Sequence, residues 1–399
     1  MKSANVVIGA NFGDEGKGLI TDFLSAPYGH DALVVRFNGG AQASHTVVTA
    51  DGRRHAFSHF SSGTFAGAAT FLSRFYVCNP LLFFREYHVI KEKTAIPEVY
   101  VDSAAAVTTP YDMIINQIVE ESRGHARHGS CGLGFGETIE RNLNPQYALH
   151  YADLSDRPIL KQKLHAIQQK WVLPRLKTLG IAEVPQEWHD RIMSEGVLEK
   201  YLSDVEFFLQ MTQTASAGFL EDTKHQIIFE GAQGLLLDQN HTWFPHVTRS
   251  YTGLRNVAAL AKDAGLDHLR VNYITRAYMT RHGAGPLPHE LGALPYPRIV
   301  DETNILNAYQ GALRFGWLDV DLLAATIKHD LDRHVSDIHL EYGLAVTCMD
   351  QVDGDFNFIK GGISQKTTQD GFLSSLETAI NPQFMITSHG PSRNFVTPA

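Results

Sequence analysis

Cysteine is scarce in this 399-residue chain. Cys78, Cys131 and Cys348 stand far apart with no CxxC spacing, which argues against a disulfide framework or a cysteine-built zinc site. Long apolar runs are missing too. No stretch approaches the about 20 continuous apolar residues that a membrane span needs, so no membrane association is expected. The N-terminus, "MKSANVVIGANFG", lacks the long apolar region and small-residue cleavage site of a signal peptide; a cytoplasmic protein is expected. Basic excess is absent. The formal charge of -9 argues against nucleic-acid binding, which wants a basic face. Histidines are many but scattered, and no HExxH pair occurs. There is no low-complexity tract, internal repeat or long Gly/Ser linker.

What is present is core-forming residue. Hydrophobic content is 44%, enough for a sizeable core. Val6–Ala10 reads as a short buried strand, Gly13–Gly18 as a loop and Leu19–Leu24 as the start of a helix. "ALVVRFNGG" and "HQIIFEGAQG" repeat that theme, and Val271–Tyr278 does so again. Strands that end in glycine loops and lead into helical patterns predict an α/β fold with a large, mainly parallel central sheet and helical insertions. Residues 1–399 read as a single domain. Helical spacing in "LSDRPILKQKLHAIQQKWVLPRLKTLG" and beyond predicts a helical insertion at about 150–215. In such sheets ligands bind at the carboxyl ends of the strands, so these loops should gather on one edge.

The first loop, "GDEGKG", is built for an anion. Gly13, Gly16 and Gly18 let backbone amides approach a phosphate, a helix N-terminus follows, and Lys17 adds charge. It is not the common phosphate loop, because Lys17 is followed by Gly18 rather than by Ser or Thr. Asp14 and Glu15 lie inside it. An acid there can ligate the magnesium that accompanies a phosphate, or take a proton from a substrate beside it. His45 follows the glycine pair of "VVRFNGGAQASHTVV" and could donate to a transferring phosphoryl oxygen; alone, such a histidine is more often a packing residue. Four further stretches have loop chemistry: "HGSCGLGFGETIERN", "FEGAQGLLLDQNHTWFPHVT", "TRHGAGPLPHEL" and "MITSHGPSRNF".

Taken in order, "GDEGKG", "RFNGGAQASHT", "FEGAQGLLLD", "TRHGAGPLPHEL", "DET", "GWLD" and "SHGPSR" resemble the adenylosuccinate synthetase family along nearly the whole chain. The resemblance implies a homodimeric ligase. A nucleoside triphosphate phosphorylates the 6-oxygen of a purine mononucleotide, and L-aspartate then displaces the phosphate; the family default is IMP to adenylosuccinate with GTP and Mg2+. It implies Asp14 as the base at purine N1 and His45 as the acid. Gly13, Glu15, Gly16, Lys17 and Gly18 form the phosphate segment. Asp14 and the Ser44 carbonyl would ligate Mg2+. Gln42, Ser130, Cys131, Gln233 and Thr248 match acceptor-nucleotide positions, and Arg141 matches an arginine that reaches the acceptor phosphate of a partner subunit. Asp350, Ser388, Gly390 and Pro391 match the triphosphate's base site. Thr303 and Arg314 match the L-aspartate site.

The departures lie at the substrates. Gln42 stands where the family has Asn, and Cys131 where it has Thr. Before "GWLD" the arginine-rich loop is reduced to "NAYQGALRF", with Gly311 where an arginine touches the ribose. Cys348 replaces a lysine that packs on guanine, so the donor is GTP or ATP. These changes admit a second acceptor, dGMP, giving 2-aminoadenylosuccinate as in a phage-type branch. They also admit a catalytically degenerate nucleotide-binding sensor.

Overall fold

The structure, a computed structural model, describes residues 2–124, 127, 129–300, 311–333 and 337–399. Its centre is a sheet of ten strands. In chain order these are β1 (Ser3–Gly9), β2 (Ala32–Arg36), β3 (Ala69–Leu72), β4 (Val99–Val101), β5 (Gln213–Thr214), β6 (Gln226–Gly234), β7 (His268–Arg276), β8 (His339–Thr347), β9 (Phe384–Ser388) and β10 (Val396–Pro398). Across the sheet the order is β10-β9-β8-β7-β1-β6-β2-β3-β4-β5. Every neighbouring pair is parallel except β9 and β10.

The sequence explains β1 at the centre. Its run is apolar on both faces, as a strand covered on both sides requires, and Val6, Val7 and Ile8 are fully buried. Val6 pairs with Phe229 on β6 and Val271 on β7. The chain leaves β1, forms helix α1 (Lys17–Ser25) and returns as β2, leaving room for β6 between them. The loops after β1, β2, β6, β7 and β8 therefore share one sheet edge, the predicted location for ligands.

Helices α2 (Pro80–Lys91) and α3 (Pro110–Ser122) both begin with Pro after a polar cap. Asn79 caps α2, and Thr109 and Asp112 form a reciprocal capping box on α3. Helix α4 (Phe135–Asn142) follows the glycine-rich stretch. Four further helices, α5 (Arg157–Lys170), α6 (Val172–Thr178), α7 (Gln186–Met193) and α8 (Glu195–Met211), precede β5. Phe83 on α2 meets Phe208 on α8 with ring centroids 4.8 Å apart, in a core separate from that of β1. Among the described residues no helix is long and apolar enough to cross a membrane.

Candidate active site

The loop after β1 is held from outside by its carbonyls. Thr280 Oγ1 donates to Gly13 O (3.4 Å), Arg276 Nε to Asp14 O, and Thr347 Oγ1 to Glu15 O (2.7 Å). Gly13, Asp14 and Gly16 all adopt positive φ, at 98°, 56° and 92°. Gly16 caps α1 without a side-chain hydrogen bond. The helix therefore offers its first amides and positive end to an anion. Gly18 is forced by crowding, because a Cβ would lie 2.7 Å from Thr46 O.

Glu15 closes the loop from inside. The Asn11 amide donates to its Oε1, and Lys17 Nζ lies 3.2 Å from its Oε2. Burial pushes the Glu15 carboxyl above its usual range, against the opposing pull of Lys17 and the Asn11 amide. Gly9 leaves the space for this pair, since a Cβ there would sit 2.0 Å from Glu15 Oε2.

Asp14 points the other way. Its Oδ2 is 2.8 Å from His282 Nε2. Burial would raise its pKa, but the bond and charge of His282, then Arg276 and Lys17, hold it down at about 2. His45 opens the strand His45–Val48, and its Nδ1 lies 2.7 Å from Glu230 Oε1, midway along β6. Ser62 donates to Glu230 through both its amide and its hydroxyl, and Arg36 Nε lies 3.9 Å from it. Burial would lift Glu230, yet Arg36, His45 and Ser62 bring it to about 2. Burial takes His45 down to about 4 despite the Glu230 bond. The imidazole is thus neutral at pH 7, with its proton on Nδ1 facing the carboxylate.

Asp14, Lys17, Ser44 and His45 line one cavity of about 470 Å³. Gln42, Gln233, Ser130, Cys131 and Thr248 line it too. Gln42 Nε2 and Gln233 Oε1 are buried there with no hydrogen-bond partner among the described residues. They are a donor and an acceptor left for a ligand edge. Asn116 Nδ2 donates to Ser130 Oγ (2.8 Å), and burial pushes the Cys131 thiol up to about 11. The start of α4, with Phe135 and Gly136, and the arginines Arg123 and Arg249 also face this space.

The other expected residues lie elsewhere. Asp350 is exposed just past β8, and Ser388 is buried at the end of β9, its hydroxyl donating to Gly390 O (2.9 Å). Neither they nor exposed Pro391 line the cavity. Asp350 follows β8, whose last residue, Thr347, packs on Gly16 of the loop. Arg141 lies in the core of its own chain. It is fully buried, and every guanidinium nitrogen is bonded to Asp112, Asn142, Val107 O or Tyr147 O of its own chain. Within its own chain it forms a core ion pair with Asp112. Arg314 is likewise committed. Its Nε is 2.7 Å from Glu290 Oε1, and Nη1 holds Gly283 O and Gly285 O. It does not line the cavity. Thr303 lies outside the described residues.

Sequence reading missed three side chains. His282 was inside a quoted motif, but nothing in the chain announced its partner 268 positions earlier. Glu230 showed only as an acid within a strand. Arg281 is 2% exposed and donates to His246 O, Ala284 O and Pro286 O, with its guanidinium 4.6 Å from the Phe12 ring centre. Among the described residues no group of three or more His, Cys, Asp or Glu is placed to hold a metal. A Mg2+ carried by phosphates needs far less, one or two carboxylates besides phosphate and water. Asp14 and Ser44 at the cavity suit that sparse requirement.

The adenylosuccinate synthetase family profile matches residues 6–358. Adenylosuccinate synthetase of Desulforapulum autotrophicum is 32% identical over 368 residues, 88% of this chain and 78% of that protein. The enzyme of Acidithiobacillus ferrooxidans is 32% identical over 366 residues, with the same shares covered. In fold, the chain is similar to fully ligated adenylosuccinate synthetase from Plasmodium falciparum, with a TM-score of 0.72, 18% identity and 99% of each chain covered. It is also similar to cyanophage S-2L succinoaminodeoxyadenylate synthetase bound to dGMP and dATP, with a TM-score of 0.63 at 17% identity, covering 100% of this chain and 95% of that one. The chain belongs to the adenylosuccinate synthetase family of C–N bond-forming ligases.

Proposed function

We propose that this ligase joins L-aspartate to C6 of IMP, with a nucleoside triphosphate activating the 6-oxygen. One observation carries the reading: Asp14 and His45, from loops after different strands, open with Lys17 onto one cavity. Asp14, held ionised, takes the N1 proton of the purine, and the electron pair moves to O6. O6 attacks the γ-phosphorus, and the nucleoside diphosphate leaves. Lys17 and the amides at the start of α1 hold the phosphates. The arriving phosphate charge favours protonated His45, with Glu230 supporting the imidazolium, so that Nε2 donates to the transferring group. Mg2+ held by Asp14 and the Ser44 carbonyl would supply charge to stabilise the phosphoryl oxygens. The L-aspartate amine then attacks C6 and phosphate departs.

Gln42 and Gln233 are suited to a purine edge, because each holds an unsatisfied amide atom in the cavity. Asp350, Ser388, Gly390 and Pro391 are assigned to the triphosphate's base, whether GTP or ATP, across the loop from the acceptor. A second reading, dGMP as acceptor, is favoured by Gly311. It is exposed, and as a glycine it has no side chain that could meet a ribose hydroxyl. The family resemblance supports a cytoplasmic homodimer, and sedimentation reads the assembly directly.

The test is phosphate release from IMP, GMP or dGMP with GTP or ATP, Mg2+ and L-aspartate. Release with IMP supports the main reading, and release with dGMP alone supports the second. Nucleotide binding without release in any combination leaves the sensor.

A further inference from the structure

His282 is not explained by the scheme above, yet it touches the proposed base. Its Nε2 is 2.8 Å from Asp14 Oδ2, and both residues line the cavity. The segment that carries it is unusually well anchored. Met279–Arg281 pairs antiparallel with Arg314–Gly316, with Thr280 opposite Phe315. Side chains alternate along a strand. Thr280 and His282 both reach the loop after β1, and Arg281 between them is fixed by three carbonyls and lies over the Phe12 ring of that loop. Upstream on the same segment, Arg276 holds the Asp14 carbonyl. Residues 276, 280 and 282 thus grip Gly13 and Asp14 at three points, two on the main chain and one on the carboxylate.

An aspartate at positive φ has an unusual backbone and two free side-chain torsions, so its carboxylate is not aimed by local structure. The grip supplies the aim. We propose that His282 is the positioning residue of Asp14: it holds Oδ2 and thereby presents Oδ1 to the purine N1–H. This rests on the reading of Asp14 as the base. The N1–H bond breaks, the proton goes to Oδ1, its electron pair goes to O6, and no further reactant is required. Catalytic groups must be held to within a fraction of an ångström, and loss of such an outer partner costs roughly 10–100-fold.

The experiment compares wild type, His282→Ala and His282→Gln in steady-state kinetics, and solves the crystal structure of each variant. Gln can place an N–H where the imidazole Nε2 stands. Expected is a kcat fall of roughly 10–100-fold in H282A with KM for acceptor and triphosphate within about threefold, and recovery of most of kcat in H282Q. Crystals of H282A should show the Asp14 carboxylate in a different rotamer and those of H282Q in the present one. H282A within twofold of wild type, H282Q no better than H282A, or an unmoved Asp14 in H282A each overturns the proposal. Absence of wild-type turnover instead counts against the ligase reading, and the Asp14 conformation then decides the positioning role by itself.

Discussion

Lys17 Nζ lies 3.2 Å from Glu15 Oε2 inside the loop after β1, and both side chains are almost wholly buried. A loop shaped for phosphate carries its own carboxylate as a counter-ion. Without it, a buried lysine would stand uncompensated beside the cavity. The second acid of "GDEGKG" is therefore part of the loop's construction, separate from the chemistry assigned to Asp14.

Glu15→Ala should destabilise the nucleotide-free protein by about 3–5 kcal/mol, the usual cost of removing one partner of a buried pair. With saturating triphosphate the loss should shrink, because phosphate charge can replace the carboxylate at Lys17. Urea unfolding with and without triphosphate measures both. An equal loss in the two conditions would show that nucleotide phosphates do not reach Lys17.

Glu230→Gln keeps an oxygen that can accept from His45 Nδ1 but removes the negative charge that supports the imidazolium and faces buried Arg36. Expected is a kcat loss of roughly 100-fold, at the lower end of what a general acid supplies. Triphosphate affinity by calorimetry should change little. A large loss of affinity with unchanged kcat would place Glu230 in binding instead.

Arg141→Met should cost about 3–5 kcal/mol, because Asp112 is left buried without its cation. In the folded fraction, KM for the acceptor should stay within about twofold of wild type. A selective rise in acceptor KM with unchanged stability would restore Arg141 to the phosphate, against its present bonding.

Glu86 links pH to stability. Its carboxylate accepts the Ser58 and His59 amides and lies 3.5 Å from both His55 Nε2 and His59 Nδ1. Burial would raise its pKa, but the two histidines and the Ser58 amide hold it at about 2, below the ordinary 4.5. A depressed carboxyl stabilises fully above its unfolded pKa and loses that contribution as pH falls through the folded one. Its share is of order 3 kcal/mol at most, and it should disappear between pH 4.5 and about 2. Unfolding free energies of wild type and Glu86→Gln across that range should converge on acidification. A constant gap would remove Glu86 as the titrating group.

Some of this was legible in the chain. β1, β2, β6 and β7 could be read because each is an apolar run, the first three leading into glycine, and that pattern is local. The glycine loops showed where a phosphate could be approached, since glycine most readily takes left-handed backbone and leaves room for a close approach. The short strands β3, β4 and β5 were not read, because a few apolar residues at sheet positions look like any loop. The partners of Arg141 and Arg314 were not legible for a different reason. Sequence gives a guanidinium's type and order, while its partner is chosen by folding, here Asp112 and Glu290.

By itself, then, the sequence determined the strand–glycine–helix rhythm, the gathering of the loops on one sheet edge and the resemblance to a ligase family. Those depend on neighbours within a few residues. Only the tertiary structure decided which charges face one another: Glu15 with Lys17, His45 with Glu230, Asp14 with His282. The last two join residues that meet because parallel strands bring distant loops to a shared edge. Their electrostatic partners, and so their protonation, exist only once the sheet has formed.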